Sequence, residues 1–297
     1  MKNHWTQICA DFYQIERTEM GKIGVDSQKC VSCGECAMVC PSIFIPEEGK
    51  IRIVDEEHCT LCGHCLAICP VEAIDHEDLD KSEFVELPED FKVPPETLSF
   101  LLRSRRSCRV FAEREVSREA LERLIDIARY APTGHNSQNF EFLVIQKKEL
   151  ILDLARRTAI FYGNLYKMLS APGANLPPWL QSHMRGFRLN WEYYQKGKDR
   201  IFRNAPALII VHAPAENASS AQNCHLAMAH IMLQAQAMGL GTCIIGYFIT
   251  AAERDPSIIK ELDIPKENKI FTCCTVGYPA LTFRKLVQRK PPAVRWM

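Results

Sequence analysis

At 297 residues the chain has room for one large domain or two smaller ones. Lysine plus arginine equals aspartate plus glutamate at 36 each, so no global field invites nucleic acid or an anionic membrane. Hydrophobic residues make up 47 %, enough for a sizeable core, yet the longest apolar runs, such as 206–211, are far too short to span a bilayer. The first twenty residues lack the apolar stretch of a secretory signal. With fourteen cysteines and no mark of secretion, the chain reads as a reducing, cytoplasmic protein.

Residues 1–19 carry Trp5, Cys9, Phe12 and Tyr13, which either cap a site downstream, pack on a partner or form a packed extension. Then comes an internal repeat. Cys30, Cys33, Cys36 and Cys40 precede Pro41; Cys59, Cys62, Cys65 and Cys69 precede Pro70. Both read C-x2-C-x2-C-x3-C-P. Structural zinc sites use separated cysteine pairs, whereas a third and fourth cysteine following at once suit the four corners of an iron–sulfur cubane. Residues 21–30 and 49–59 each predict a short strand entering a loop, and 41–45 and 70–74 the turn leaving it. Residues 20–75 resemble a bacterial two-cluster ferredoxin, in which the fourth cysteine of each run ligates the other cluster. That places one [4Fe-4S] cluster on Cys30, Cys33, Cys36 and Cys69, and a second on Cys59, Cys62, Cys65 and Cys40. His64, between two ligands, either tunes a cluster through a hydrogen bond or faces water.

The acidic stretch 75–100 contains Pro88, Pro94 and Pro95, and prolines interrupt regular structure. The expected organisation is a ferredoxin-type domain with its extension over 1–80, a linker over 81–97, and a second domain over 98–297. In that domain Pro95 and Thr97 open a short helix through Arg103. Ser117 can cap the next, whose Leu121, Leu124, Ile125 and Ala128 follow helical spacing. Residues 140–146 predict a strand, 147–162 a helix, 207–213 a buried strand, and 217–238 a long helix ended by Gly239 and Gly241. Residues 242–248 and 269–279 predict two more strands. Helices and strands around one sheet give an α+β or α/β layered domain.

Four local motifs carry chemistry. Arg105, Ser107 and Arg109 stand two apart after a helix, with Arg106 among them, so an extended segment puts cations and a hydroxyl on one face, suited to phosphate or a polar ring edge. The loop 131–140 offers the amides of Asn136 and Gln138, which can read the donors and acceptors of a heterocycle. The glycine-rich stretch 239–248 lets backbone amides approach a ligand closely. Arg289 and Lys290 supply a late basic pair. Together and in this order they resemble the FMN-binding nitroreductase family, over about 98–297: R-x-S-x-R-x-F, then A-P-[ST]-x-x-N-x-Q, then G-L-G-T-C and G-Y-P. Arg103 begins a second R-S-R, but only 105–109 fits R-x-S-x-R. The expected fold is therefore α+β, a two-cluster ferredoxin-type domain followed by a nitroreductase-like α+β sandwich.

The resemblance implies that Arg105, Arg106, Ser107 and Arg109 hold FMN along its phosphate, ribityl chain and pyrimidine edge. It implies that Pro132, Thr133, Gly134, Asn136 and Gln138 lie on a loop that reaches FMN, often from a partner subunit. Ile244, Ile245 and Gly246 match the backbone facing the flavin ring, and Arg289 matches a phosphate contact. It also implies an intertwined homodimer. One departure is that the family's Q-P-W becomes Gln138-Asn139-Phe140, which bears on local packing more than on flavin binding. No catalytic side chain is implied, because the cofactor carries the chemistry.

No G-x-G-x-x-G fingerprint of a Rossmann nicotinamide site is present, although NAD(P)H can still reduce a flavin of this family directly. Cys108, Cys224, Cys243, Cys273 and Cys274 read as small buried hydrophobes. His135 either touches substrate or is a solvated loop residue, and His225 and His230 read as core or interface groups. The aromatic-rich stretch 160–200 fits either a lid over the flavin or a dimer-interface helix. The activity implied is an FMN-dependent oxidoreductase passing electrons through two [4Fe-4S] clusters to FMN and on to a small electron-poor acceptor such as a nitroaromatic or quinone, with a redox protein or NAD(P)H as donor. Two other activities fit: a module exchanging electrons between carriers without a small substrate, and dehalogenation or flavin fragmentation.

Overall fold

The computed structural model describes residues 22–173 and 175–297, so Trp5, Cys9, Phe12 and Tyr13 lie outside the described residues. The chain divides into two compact units between Phe91 and Lys92. In the first, β1 (Ile23–Val25) pairs antiparallel with β4 (Ile74–His76), and β2 (Phe44–Glu47) with β3 (Lys50–Ile53). Two five-residue helices, α1 (Glu35–Val39) and α2 (His64–Ile68), each follow two cysteines of a run and contain the third, Cys36 or Cys65. A small core of Ile23, Ile43, Phe44, Leu66 and Ile74 joins these pairs. So small a core supplies little stability alone, and buried Cys36, Cys59 and Cys65 make up much of it.

The second unit is a sheet covered on both faces. Its strands are β5 (Glu141–Ile145), β6 (Ala207–Pro214), β7 (Gly241–Ile244) and β8 (Asn268–Gly277), in the order β5-β6-β8-β7 and antiparallel throughout. Successive side chains of a strand point to opposite faces. Leu208 and Ile210 therefore enter one core and Ile209 and Val211 the other, while Cys273 and Cys274 divide likewise. This double burial explains the unbroken apolar run of β6. One core is closed by α4 (Arg118–Ala128) and α7 (Ser220–Ala237), through Leu121, Leu124, Met228 and Ile231. The other is closed by α5 (Lys148–Leu169), α6 (Pro178–Gln195) and α8 (Gly246–Arg254). A further helix, α3 (Pro95–Ser104), buries none of its residues and leaves Leu98, Phe100 and Leu102 exposed.

Ser117 caps α4, accepting from Ala120 N at 3.2 Å. The strand expected over 242–248 is half strand and half helix. It ends at Ile244, and from Gly246 the pattern Phe248, Ala251, Ala252 is helical and buried. A short apolar run fits either period, and here the following turn decides. Within 160–200, the end of α5 and all of α6 pack on each other. Gly163 makes this possible, since a Cβ there would lie 2.6 Å from the Trp191 ring. Cys108, Cys224, Cys243, Cys273 and Cys274 are all buried, and burial pushes the Cys224 and Cys274 thiols up to about 12.

Gly163→Val forces the α5–α6 pair apart and is expected to lower stability by about 1–3 kcal/mol, measured by chemical denaturation with the second unit's far-UV signal as probe. His212 on β6 is 5 % exposed. Burial holds its pKa below the ordinary 6.5, and its Nδ1 accepts from Asn268 Nδ2 at 2.9 Å. The unfolded chain thus binds this proton more readily, so stability is lost as pH falls through about 6.5. His212→Gln is expected to flatten that loss, read as denaturation midpoint against pH.

Candidate functional site

The two cysteine runs build matching loops. Ser32 and Leu61, each two residues after a first cysteine, are left-handed with φ of 56° and 54°, as are Gly34 and Gly63 with φ of 80° and 71°. The tight reversal turns amides inward, so Ser32 N donates to Cys30 Sγ and Leu61 N to Cys59 Sγ, both at 3.4 Å. Such bonds stabilise thiolate charge and tune a cluster's potential. A small cavity is lined by Cys30, Cys33, Cys36 and Cys69 together. Cys65 lies among Cys59, Cys62 and Cys40, and burial, with these neighbours, pushes its thiol up to about 11. The fold thus brings the fourth cysteine of each run to the other run's first three. Among the described residues no three such donors converge as tightly as a single metal ion requires. His64 is exposed.

The second unit encloses a cavity of about 740 Å³, within the usual range for a small-molecule site. Tyr162, Trp179, Phe187 and Tyr247 give it aromatic walls, and Cys243–Gly246 form its floor. Arg109, Arg200, Arg203, Arg254 and His183 also line it, and among the described residues no carboxylate does. The floor is the turn from β7 into α8, where the first N–H groups of a helix lack intrahelical partners. A Cβ on Gly246 would meet nothing within 4 Å, so its backbone lies open.

Each cation has a structural reason for its place. Arg109 follows Cys108, whose N–H donates to Thr242 O at 2.9 Å, and the neighbouring Ser107 bridges to Thr242. This pins the segment to the sheet edge. Arg200 and Arg203 sit on a turn built by Asp199, whose carboxylate accepts from Ile201 N, Phe202 N and Asn204 N at 2.8–2.9 Å. Arg203 and Asn204 are left-handed there. Burial, with the nearby Arg200 and Arg109, pulls Arg203 below the ordinary arginine range. Arg200 stacks over Tyr193 at 5.4 Å and keeps a buried Nε with no hydrogen-bond partner.

Of the residues singled out in the sequence, Arg109, Ile244, Ile245 and Gly246 line this cavity. Arg106 and Ser107 line an adjoining one of about 410 Å³, which also includes Arg109 and Gly239–Gly241. Arg105 lines neither, its carbonyl accepting from Arg106 Nη1 at 2.7 Å. Arg289 lies exposed in the C-terminal stretch. Pro132, Thr133, Gly134, Asn136 and Gln138 line neither cavity. Their loop is held on α7 by buried Asn223, which accepts from Gly134 N at 3.2 Å and donates to Ser137 Oγ and Asn139 Oδ1 at 3.2 and 3.0 Å. Asn139 in turn donates to Ser220 Oγ at 3.1 Å, and Phe140 is buried against Phe142, which accounts for the Asn-Phe departure as local packing. The sequence reading passed over Arg200, Arg203, His183 and Arg254. Asp199 followed by cations at 200 and 203, directly before a buried strand, is the signal that marks the first two.

The second unit is thus an antiparallel sheet between helical layers with a cation-rich aromatic cavity at a strand-to-helix turn, and a cysteine-rich unit precedes it. Residues 102–278 match the model of the nitroreductase family, and residues 22–70 match a 4Fe-4S dicluster domain. The chain belongs to the nitroreductase family. An oxygen-insensitive NADPH nitroreductase of Helicobacter pylori is 26 % identical over 213 residues, 66 % of this chain and 95 % of that protein. Among solved structures, an FMN-bound nitroreductase from Bacteroides fragilis matches with a TM-score of 0.53 at 20 % identity, covering 67 % of this chain and 98 % of that one. Another from Desulfitobacterium hafniense gives 0.52 at 22 %, covering 68 % and 100 %. The chain thus carries a nitroreductase-family unit preceded by a 4Fe-4S dicluster domain, and no helix among the described residues is long and apolar enough to cross a membrane.

The residues fit FMN. An anionic phosphate calls for cations, and a flat heteroaromatic ring for open backbone amides and an apolar wall; the cavity supplies each, with an unpartnered Arg200 Nε besides. A charge-assisted hydrogen bond contributes about 1.5–3 kcal/mol. Arg109→Gln and Arg203→Gln are each expected to weaken FMN binding about ten- to a hundredfold, measured by flavin fluorescence on titrating the flavin-free protein.

Proposed function

We propose that this protein reduces a small electron-poor organic molecule, such as a nitroaromatic or quinone, with electrons delivered through two [4Fe-4S] clusters. Cys30, Cys33, Cys36 and Cys69 hold one cluster, and Cys59, Cys62, Cys65 and Cys40 the other. Bound FMN supplies the conversion between single electrons and the two-electron reduction of the acceptor. The observation that carries the reading is the joining of a cysteine-rich electron module to a flavin unit, since a flavin site fed directly by NAD(P)H has no use for clusters. Arg109, Arg203 and Ser107 bind and orient the flavin, the positive charge of the two arginines favouring its anionic reduced form; Arg105, which lines neither cavity, supports the segment that carries Ser107 and Arg109. Ile244–Gly246 present backbone to the ring, and Arg289 is assigned to the phosphate. Trp179, Phe187 and Tyr247 exclude water and stack on a flat acceptor.

The loop holding Pro132, Thr133, Gly134, Asn136 and Gln138 lies away from its own chain's cavity. In this reading it completes the site of a second copy in a homodimer. The exposed Leu98, Phe100 and Leu102 of α3 and the exposed Leu281, Phe283 and Trp296 near the C-terminus are apolar surface suited to that contact. The donor is a low-potential redox protein. Exchange between carriers without a substrate is the weaker reading, because Trp179, Phe187 and Tyr247 line the cavity with aromatic faces that suit a flat acceptor beside the flavin.

Cys33→Ser and Cys62→Ser are each expected to abolish turnover of a nitroaromatic driven by reduced ferredoxin while FMN content stays at the wild-type level. Turnover unchanged with every donor overturns the proposal.

A further inference from the structure

The two cysteine loops match in sequence and backbone but not in surroundings. At Gly34 in the first loop, a Cβ would meet nothing within 4 Å among the described residues. At the equivalent Gly63, a Cβ would lie 3.2 Å from Cζ of Phe84. Val31 in the first loop is 62 % exposed, whereas Leu61, its nearest apolar counterpart in the second, is partly buried. Cys30 is half-buried and Cys59 buried.

The ring of Phe84 comes from the segment after the second motif, and that segment is fastened. Leu79 packs on the small core. Asp80 caps the turn, accepting from Ser82 N at 2.8 Å. Lys81 pairs with Asp75 at 2.5 Å and donates to Glu72 O at 3.3 Å. Phe84 N closes the turn onto Lys81 O at 3.0 Å. Beyond it the apolar side chains are released to solvent, with Val85 87 % and Leu87 82 % exposed against 41 % for Phe84. The sequence treats 81–97 as a linker, yet its first residues belong to the cluster unit.

We propose that residues 79–84 form a strap whose Phe84 ring shuts water away from the second loop, making the two clusters unequal. This rests on the two-cluster reading above. Reduction adds one electron to a cluster and one negative charge, with no bond made or broken. Water stabilises that added charge, so excluding it lowers the reduction potential, and solvent exposure is an established lever on cluster potentials. The cluster on Cys59, Cys62, Cys65 and Cys40 is therefore harder to reduce than the one on Cys30, Cys33, Cys36 and Cys69. Phe84 is a positioning residue that touches the loop rather than a ligand.

The test is an anaerobic dithionite titration of the cluster-loaded full-length protein, followed by electron paramagnetic resonance, with iron and sulfide analysed on the same samples. Wild type is expected to show two separate midpoints. Phe84→Ala should raise the lower midpoint toward the upper one and leave the upper unmoved, and Phe84→Leu should restore most of the separation. Phe91→Ala, on an exposed phenylalanine of the same stretch, should change neither. Iron and sulfide sufficient for only one cluster overturn the two-cluster reading and the strap with it. Two clusters whose midpoints coincide, or ignore position 84, overturn the strap alone.

Discussion

Holding like charges together at the edge of an apolar cavity is the interaction on which the flavin unit depends. Arg109, Arg200 and Arg203 come from two separate stretches, and partial burial, with repulsion from Arg200 and Arg109, holds Arg203 below the ordinary arginine range. Such an arrangement opposes folding until an anion neutralises it. The fold resists by fixing each backbone independently. Cys108 and Ser107 lock the first stretch onto β7, and Asp199 ties down the second through three amides. The sheet beneath, buried on both faces, is the rigid part that lets these turns keep their positions.

The same economy shapes the cluster unit. Each loop must reverse direction within a few residues, and the left-handed Ser32, Gly34, Leu61 and Gly63 provide that reversal. The unit has little apolar surface of its own to bury, so Cys36, Cys59 and Cys65 make up part of its core. Replacing one of them is both a chemical and a packing change.

Much of this was legible in the sequence because the relevant signals are local. The cysteine spacing, the cap at Ser117 and the apolar runs of β6 and β8 each act over a few residues. The β7 to α8 turn was misread because Ile244 through Phe248 suits a strand or a helix equally, and only the packing of Phe248, Ala251 and Ala252 chooses. Arg200 and Arg203 were missed for another reason. Their role arises from meeting Arg109, about ninety residues away, and no short motif records such a meeting. The loop 131–138 shows the reverse case, where the motif is plain but none of its singled-out residues lines either cavity. Phe84 likewise looked like linker, because its partner is a glycine about twenty residues back, and no short motif records that contact.

The central claim is that electrons reach the flavin unit by way of the cysteine unit. The measurement that tests it most directly is rapid anaerobic mixing of the cluster- and FMN-loaded protein with a reduced low-potential ferredoxin, following cluster and flavin absorbance together. Cluster absorbance should fall first and the flavin band afterwards. A flavin band that bleaches ahead of the clusters, or responds only to NAD(P)H, would contradict the account.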